Sequence, residues 1–293
     1  MPDFPPLDSF STLIDLAKRE DLGTGDVTVA LTVPADMTGV GTLYQKSPGV
    51  VAGLPIVAHV CRAFNERLTV DAGWNDHEGR FADGKLTKLM SIRGPMRSIL
   101  SAERTLLNFV QRMSGIATAT REYVDRVAGT RAKILDTRKT LPGFRALDKY
   151  AVRAGGGHNH RIGLYDMVLV KDNHLAQLGL AGWAERLERF IRESRQANPS
   201  LPVEVEVVNV DQFASVIAMN GIDIILLDNM SVDMMRRCVE QRDALRSTVQ
   251  LEASGGVTLK TVRTIAETGV DRISVGALTH SVTAMDLSLE VTA

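Results

Sequence analysis

The sequence predicts an α/β protein in which a compact N-terminal α+β unit precedes a set of βα units around a parallel sheet. Before Gly115, helical and strand-like pieces follow one another without a regular order. Beyond Gly115, short apolar strands alternate with helical segments every few tens of residues, which is typical of a parallel sheet covered by helices. The sheet is expected to be closed or nearly closed into a barrel, but six candidate strands are visible rather than eight, which argues against a full eightfold barrel.

Local periodicity and turn signals predict the elements of the N-terminal unit. Apolar residues of segment 8–20 have mostly helical spacing, and Asp8 or Ser9 could cap that helix. Segment 96–113 places a broad apolar stripe on one helix, and Ser114-Gly115 predicts its end. The predicted order is a helix at 8–20, a loop at 21–28, strands within 38–51, a helix at 54–64, short strands between 68 and 94, and the helix at 96–113.

Polar side chains follow every predicted strand of the second region. The strands are predicted at 133–136, 167–170, 203–207, 222–227, 249–252 and 272–275. The helices between them are predicted at 117–128, 144–154, 181–195, 211–220, 231–245 and 258–268. In α/β barrels the C-terminal ends of the strands converge on one face, where ligands bind. We therefore expect one pocket lined by DTRK (136–139), VKDNH (170–174), EVEVVN (204–209), LDN (227–229), EASGG (252–256) and SVGA (274–277).

Segment 131–174 is locally basic, although the whole chain is nearly neutral with 34 Lys+Arg and 35 Asp+Glu. Its charges lie at the ends of apolar runs rather than along a helix face. This favours a pocket for a small, multiply charged anion over a solvated surface. Arg binds carboxylates or phosphates in a bidentate manner, and Lys binds them as a point charge. The candidate ligands are Arg138, Lys139, His160, Arg161 and Lys171.

The later strand ends carry a different chemistry. Glu206 and Asp228 are acceptors suited to sugar hydroxyls or, through water, to Mg²⁺. The turns Ser254-Gly255-Gly256 and Ser274-Val275-Gly276 could expose backbone N–H groups to a phosphate, although each alone is also compatible with a tight turn. Phosphate-binding turns after the last two strands are frequent in phosphate-binding barrels. A phosphorylated sugar is therefore the leading ligand.

Three features leave alternatives open. Gly155-Gly156-Gly157 is either a third phosphate cradle or, as we favour, a flexible approach that brings the following charges to the pocket. Lys171 could form a Schiff base, which requires a desolvated lysine, but anion binding is the more economical interpretation. Arg104 and Arg112 lie off the apolar stripe of their helix, and the sequence alone does not distinguish them from solvent-facing arginines.

Composition argues against several classes of protein. A net charge of −1 gives no reason to expect nucleic acid or a membrane surface as a partner. Cys61 and Cys238 have no metal-ligand spacing, so we expect neither a disulfide framework nor a zinc site, and a cytoplasmic location is natural. The N-terminus lacks the features of a secretory signal, and no apolar run approaches the roughly 20 residues that span a bilayer. We expect a soluble intracellular protein.

Eight segments together resemble a known family. They are EDLGTGDVT (20–28), AERTLLNFVQRMSGIAT (102–118), ILDTRKTLPGFRALDKYAV (134–152), GGGHNHRIGLYDMVLVKDNH (155–174), VEVEV (203–207), LLDNM (226–230), EASGGV (252–257) and ISVGALTHS (273–281). Across nearly the whole chain the sequence resembles the quinolinate phosphoribosyltransferase family of NAD biosynthesis. The combination is specific, although no single segment is.

The resemblance implies a fold, an assembly and a set of site residues. An N-terminal α/β sandwich-like domain would span 1–114 and an incomplete, open α/β barrel 115–279, with 280–293 able to pack back on the first domain. A homodimer or dimer-based oligomer with shared active sites is implied. Quinolinate carboxylates would be bound by Arg138, Lys139, His160 and Arg161, with Arg104 reaching across from the neighbouring subunit. Phosphoribosyl pyrophosphate, with Mg²⁺, would be bound by Lys171, Glu206, Asp228, Ser254, Gly255, Gly256, Ser274, Val275 and Gly276, and Thr137 would add a contact.

The implied reaction converts quinolinate and phosphoribosyl pyrophosphate into nicotinate mononucleotide, CO₂ and pyrophosphate. The implied catalytic residues are Lys139, Lys171, Glu206 and Asp228. Three rivals remain: a transferase of the same fold with another substrate, such as the paralogue associated with molybdenum transport loci, a Schiff-base enzyme using Lys171, and a phosphosugar sensor without turnover. The complete set of carboxylate-binding cations argues against the first rival.

Overall fold

The computed structural model describes residues 2–171, 174 and 182–293. Asp172 and Asn173 of the predicted cluster 170–174, and Ala181 at the start of the predicted helix 181–195, lie outside the described residues. The chain divides into two compact units. Unit 1 comprises Met1–Arg121, Lys139–Gly157 and Leu278–Ala293, and unit 2 comprises Glu122–Arg138 and His158–Ala277.

The described strands and helices follow in chain order. The strands are β1 (Thr38–Gln45), β2 (Gly49–Val50), β3 (Thr69–Val70), β4 (Phe81–Ala82), β5 (Thr87–Pro95), β6 (Lys133–Leu135), β7 (Val168–Val170), β8 (Val203–Val207), β9 (Ile224–Asp228), β10 (Gln250–Ser254), β11 (Arg272–Ser274) and β12 (Leu287–Thr292). The helices are α1 (Ser11–Leu22), α2 (Val27–Thr32), α3 (Pro55–Phe64), α4 (Met96–Arg126), α5 (Arg145–Ala154), α6 (Trp183–Ala197), α7 (Val210–Ile217), α8 (Val232–Ala244), α9 (Val262–Ala266) and α10 (Ala277–His280). Among the described residues, no helix combines the length and apolar character needed to cross a membrane.

Unit 1 is built on a sheet with the strand order β12, β1, β5, β3. Strand β1 pairs antiparallel with β5 on one side and with the C-terminal strand β12 on the other. Helix α4 lies close against β1, because a Cβ added at Gly41 would come within 2.8 Å of Ile99 Cγ2. Leu43, Ile92 and Ile99 are fully buried in this core.

The described residues of unit 2 form six parallel strands in the order β6, β11, β10, β9, β8, β7. Each of the six predicted strands corresponds to one of them within a few residues. Strands β6 and β7 are the edges of this sheet. The predicted fold class, an incomplete α/β barrel of six strands after an N-terminal α/β region, is therefore confirmed.

Two boundaries differ from the prediction. The expected end of a helix at Ser114-Gly115 is wrong, because α4 continues to Arg126 and joins the predicted helices 96–113 and 117–128. A Cβ at Gly115 would lie 2.1 Å from the carbonyl oxygen of Thr283, so this glycine allows a close approach to the helix instead of ending it. The expected loop at 21–28 is shorter, since α2 begins at Val27 with Asp26 as its N-cap, accepting from Val29 N at 2.9 Å.

Candidate active site

Asp136, directly after β6, organises the turn that carries two candidate anion ligands. Its carboxylate is fully buried and accepts from the main-chain N–H of His160 at 2.8 Å and from Asn159 Nδ2 at 2.6 Å. Its own N–H donates to His158 O at 3.2 Å. These bonds hold segment 158–161 beside the end of β6. They place the predicted ligands Arg138 and Arg161 on neighbouring stretches of chain.

Arg138 and Arg161 are two arginines of unit 2 whose charges influence each other. Arg161 is only 9% exposed, and its Nη1 donates to Met167 O at 3.4 Å. Burial lowers the pKa of Arg161, and the charge of Arg138 lowers it further, so the two groups lie within electrostatic reach. Arg138 Nε is buried and has no hydrogen-bond partner among the described residues. Because buried donors are normally paired, an anion is the natural missing partner.

His160 lies in a buried polar cluster of unit 2. Its Nε2 lies 3.1 Å from Glu204 Oε2 and 3.3 Å from Glu252 Oε1, and Arg272 Nε donates to Glu252 Oε2 at 2.7 Å. Burial lowers the pKa of His160, but the contacts and charges of the two glutamates outweigh it and raise the pKa to about 9. Burial and the neighbouring Glu252 raise the pKa of Glu204. Burial also opposes ionisation of Glu252, but His160 and Arg272 outweigh it and lower that pKa.

His160, Glu204 and Glu252 are also residue types that bind metal ions, and their candidate ligand atoms lie within 4.8 Å of one another. However, the main-chain N–H of Arg161 donates to His160 Nδ1 at 2.8 Å. Nδ1 therefore offers its lone pair, and the ring proton lies on Nε2, the nitrogen that faces the carboxylates. A second ring proton, which the carboxylates favour, would require the Nδ1 contact to open. The cluster fits a shared proton better than a cation.

Lys171 and Glu206 form a pair at the C-terminal ends of β7 and β8. Lys171 Nζ lies 3.7 Å from Glu206 Oε2, and the two side chains are 47% and 9% exposed. The Schiff-base alternative does not fit this arrangement, because a half-exposed ammonium beside a carboxylate is not desolvated. Lys171 is placed instead as a charge that a bound phosphate group could reach.

Asp228 ends β9, next to the strand that carries Glu206. Glu206 pairs in register with Leu226, two residues before Asp228. Asp228 Oδ2 accepts from Asn229 Nδ2 at 2.8 Å, and Asn229 has a φ of 51°. Carboxylate oxygens on adjacent strand ends are ligands that Mg²⁺ accepts, so Glu206 and Asp228 fit the predicted metal by chemistry.

The turn Ser254-Gly255-Gly256 follows β10 beside this acidic edge. Gly255 has a φ of 94°, and a Cβ there would lie 2.2 Å from Asn229 Oδ1, so only glycine fits. No atom of the described residues lies within 4 Å of a Cβ built at Gly256, so the space beside this residue is open among them. Such a turn matches the predicted phosphate cradle.

The turn Ser274-Val275-Gly276 follows β11 and leads into α10. The N–H of Val275 donates to Leu135 O at 2.9 Å, and Val275 is 1% exposed. Its amide is therefore committed to the sheet and cannot bind a phosphate in this conformation, contrary to the role implied for Val275. Ser274 is also buried.

Not all predicted site residues lie in unit 2. Arg104 and Lys139 are exposed and belong to unit 1, whereas Thr137 and Arg138 are half-buried residues of unit 2. Gly155-Gly156-Gly157 matches neither interpretation offered above, because a Cβ at Gly155 would lie 2.4 Å from Ala117 O and one at Gly157 2.7 Å from Thr120 Cγ2. These glycines allow the end of α5 to pack against α4.

Models of a known family match almost the entire chain. The N-terminal domain of quinolinate phosphoribosyl transferase matches residues 26–114, and the C-terminal domain matches residues 116–290. The chain belongs to the quinolinate phosphoribosyltransferase family. The family resemblance predicted from the eight segments is thus confirmed.

Individual members of the quinolinate phosphoribosyltransferase family agree over their full lengths. A nicotinate-nucleotide pyrophosphorylase (carboxylating) of Mycobacterium leprae (strain TN) is 44% identical over 290 residues, covering 97% of this chain and 98% of that protein. The solved nicotinate-nucleotide pyrophosphorylase from Francisella tularensis has a TM-score of 0.87 at 35% identity, covering 100% of both chains. NadC from Streptococcus pyogenes has a TM-score of 0.89 at 34% identity, covering 100% of this chain and 99% of that one.

Several residues at the candidate site have no individual role predicted from the sequence. Asp136, Glu204 and Glu252 belong to the strand-end segments predicted to line the pocket, but none of them is among the candidate ligands. Strand alternation offered a signal, because Glu204 and Glu206 are two residues apart in β8 and share one face of the sheet. The pairing of Asp136 with His160 had no such signal, because it joins distant parts of the chain.

Proposed function

We propose that this chain converts quinolinate and phosphoribosyl pyrophosphate into nicotinate mononucleotide, CO₂ and pyrophosphate, as a decarboxylating pentosyltransferase of NAD biosynthesis. The observation that carries this proposal is that Arg161 is largely buried within electrostatic reach of Arg138, and that Arg138 Nε lacks a hydrogen-bond partner among the described residues. Such a pair needs a ligand with more than one negative charge, which a pyridine dicarboxylate supplies.

The remaining binding roles follow the chemistry of each strand end. Arg138, Arg161 and Lys139 bind the quinolinate carboxylates, with His160 and Thr137 beside them. Lys171, the turn at Ser254–Gly256, and Ser274 and Gly276 without the amide of Val275 bind the phosphates of phosphoribosyl pyrophosphate. Glu206 and Asp228 bind the ribose hydroxyls. The open space beside Gly256 and the 3.7 Å pairing of Lys171 with Glu206 support this division.

The reaction needs orientation and electrostatic stabilisation rather than a protein nucleophile. The pyridine nitrogen attacks ribose C1 as pyrophosphate leaves, through a transition state with oxocarbenium character. Glu206 and Asp228 stabilise the developing positive charge, and Lys171 with Lys139 stabilises the departing and bound anions. Once the nitrogen is ribosylated, the bond to the adjacent carboxylate breaks and CO₂ leaves. Its electron pair stays on ring carbon C2, where the neighbouring cationic nitrogen stabilises it, and a proton from solvent then bonds to C2.

Glu206 and Asp228 would also hold Mg²⁺, directly or through water. The ion would neutralise charge on the pyrophosphate group of the substrate. Both residues supply carboxylate oxygens at adjacent strand ends, which is the donor chemistry that Mg²⁺ prefers.

We further propose a cytoplasmic homodimer, or a dimer-based oligomer, in which Arg104 completes the site of the neighbouring subunit. Arg104 is exposed on α4, and large apolar side chains of the same unit, including Val27 and Leu31, are 74% and 88% exposed. Exposed apolar surface of this kind is typical of interfaces between subunits. Cys61 and Cys238 are both free and buried, which agrees with a reducing compartment.

A purified-enzyme assay tests the function directly. We expect formation of nicotinate mononucleotide that depends on quinolinate, phosphoribosyl pyrophosphate and Mg²⁺. No turnover with all three present would reject the proposed reaction. Binding of phosphoribosyl pyrophosphate without product would favour the sensor alternative.

Subunit mixing tests the shared site. Arg104→Ala and Lys171→Ala proteins should each be nearly inactive alone. Mixed dimers should regain activity, because one of their two sites receives both intact residues. Confirmed mixed dimers that remain inactive would contradict the proposed position of Arg104.

A further inference from the structure

Arg112 and Asp148 form an ion pair in unit 1 that the proposed reaction does not use. Arg112 Nε and Nη2 donate to Asp148 Oδ1 and Oδ2 at 3.0 and 2.8 Å, so the pair is bidentate. The Asp148 side chain is fully buried and that of Arg112 is 18% exposed. The guanidinium group also lies over the ring of Phe144, with Cζ 5.4 Å from the ring centroid. Arg112 therefore has one well-defined orientation.

Hydrogen bonds through Thr279 connect this fixed guanidinium group to the main chain at Lys139. Arg112 Nη2 also donates to the carbonyl oxygen of Thr279 at 3.1 Å. The hydroxyl of Thr279 in turn donates to the carbonyl oxygen of Lys139 at 2.9 Å, and Thr279 is 1% exposed. A buried chain of hydrogen bonds thus runs from Asp148 through Arg112 and Thr279 to the peptide of Lys139.

The geometry of this series of hydrogen bonds requires an arginine at position 112. Three donors are used in one plane, which the fork of an arginine provides and the single ammonium group of a lysine does not. Burying an ion pair contributes little or nothing to stability compared with a well-packed apolar pair. A helix contact between α4 and α5 alone would not require one, so a function in fixing Thr279 explains it better.

Lys139 is a residue that needs such support. Its side chain is exposed and has many rotamers, and it directly follows the half-buried Arg138. A substrate-binding cation contributes most when its main chain is already held in the productive position, because less freedom is lost on binding. Fixing the carbonyl of Lys139 fixes the point from which its side chain extends.

We propose that Thr279, held by Arg112 and Asp148, is a positioning residue that acts on the anionic substrate through Lys139. This inference rests on the proposed function, since it assigns Lys139 to the binding of a quinolinate carboxylate. The proposal assigns Thr279, Arg112 and Asp148 no contact with substrate.

A double-mutant cycle between Thr279 and Lys139 tests the inference. Thr279→Val keeps the shape of the side chain and removes the hydroxyl, whereas Thr279→Ser keeps the hydroxyl. We expect Thr279→Val to weaken quinolinate binding, measured by calorimetry, by roughly five- to tenfold in the wild-type background. In a Lys139→Ala background the same change should alter binding by less than about twofold, because the residue through which it acts is gone. Thr279→Ser should recover most of the loss.

The outcomes separate a positioning role from a structural one. A Thr279→Val effect of equal size in both backgrounds, or no effect in either, would overturn the inference. Thr120→Val is the matched control, since Thr120 is also buried in unit 1 but its hydroxyl donates to Ile116 O within α4, at 2.8 Å. If Thr279→Val does not fold, Arg112→Lys replaces it in the same cycle with the same expected coupling. Failure of the wild-type protein to bind quinolinate would instead overturn the proposed function itself.

Discussion

In unit 1 the buried carboxylates of Glu78 and Asp148 have good partners, whereas in unit 2 buried charged groups have unpaired atoms. Glu78 accepts from the N–H groups of Gly53 and Leu54 at 2.7 and 2.9 Å and from the hydroxyl of Tyr150 at 2.7 Å. Asp148 is held by both nitrogens of an arginine fork. Among the described residues, Glu204 Oε1 and Arg138 Nε have no hydrogen-bond partner, whereas Glu204 Oε2 lies 3.1 Å from His160 Nε2.

This difference separates buried charged groups whose polar atoms are all paired within the protein from buried charged groups with an atom that a ligand could pair. A buried ionic group is tolerated when every polar atom is paired, and it costs free energy when one is not. Unit 1 places its acids where main-chain N–H groups or a guanidinium group complete them. In unit 2, Asp136 is paired in the same way, but Arg138 Nε, just beyond the end of β6, has no partner among the described residues, which is the pattern expected where a charged substrate completes the set.

The largest expected effect is the loss of stability in Asp148→Asn. The asparagine amide cannot accept both hydrogen bonds from Arg112, so the positive charge of Arg112 is left unpaired. Breaking a buried ion pair in this way lowers the free energy of unfolding by about 3–5 kcal/mol. Urea unfolding followed by fluorescence of Trp74 and Trp183 measures this change.

A matched surface substitution provides the control for Asp148→Asn. Asp233 also pairs with an arginine, Arg236, but its side chain is 88% exposed. Asp233→Asn should change the free energy of unfolding by less than about 1 kcal/mol. Equal effects of the two substitutions would mean that the pairing of Asp148 does not stabilise the fold. The proposed difference between the paired charges of unit 1 and the unpaired atoms of unit 2 would then be wrong.

The second effect is a loss of binding without a loss of stability in Arg138→Ala. We expect the KM for quinolinate to rise roughly 100-fold, because a charge-assisted bidentate contact is removed. The KM for phosphoribosyl pyrophosphate should change much less. The midpoint of urea unfolding should stay the same or rise, because the substitution removes both the positive charge near Arg161 and the unpaired Nε donor of Arg138.

Arg131→Ala is the control for Arg138→Ala. Arg131 lies in the same basic segment and pairs with Asp271 at 3.1 Å, but its side chain is 59% exposed. Its removal should leave both KM values close to those of the wild-type enzyme. An unchanged quinolinate KM in Arg138→Ala would sink the role assigned to this arginine.

The sequence was sufficient for features that depend on local patterns. Short apolar runs ending in polar residues located all six strands of unit 2 and the ends that carry Arg138, Glu206 and Asp228. These signals are local because strand periodicity and turn residues act over a few positions. The family resemblance then implied that Arg138, Lys139 and Arg161 bind the same substrate, quinolinate.

The features that were missed depend on contacts between distant segments. The sequence predicts a helix end at Gly115 because glycine often ends helices, but the close neighbour that explains this glycine, Thr283, lies far along the chain. Arg112 could not be told from a solvent-facing arginine, because its partner Asp148 belongs to another helix. Tertiary packing decides such cases, and a single sequence contains no direct record of it.

The smallest expected effect is a pH dependence of stability that comes from Glu78. Burial raises the pKa of Glu78 despite hydrogen bonds from Gly53, Tyr150 and Leu54. The native state therefore holds this proton more tightly than the unfolded state, so the stability from Glu78 is full below its ordinary pKa of 4.5 and falls as the pH rises through the native value. In Glu78→Gln this loss disappears, and the stability advantage of the wild-type protein over the variant should shrink with rising pH, by about 1.4 kcal/mol for each unit of pKa shift. Urea unfolding across the acid range, with the exposed Glu66→Gln as control, measures it. An advantage that grows with pH would show that hydrogen bonds outweigh burial at Glu78, and that unit 1 pairs its acids even more completely than the structure indicates.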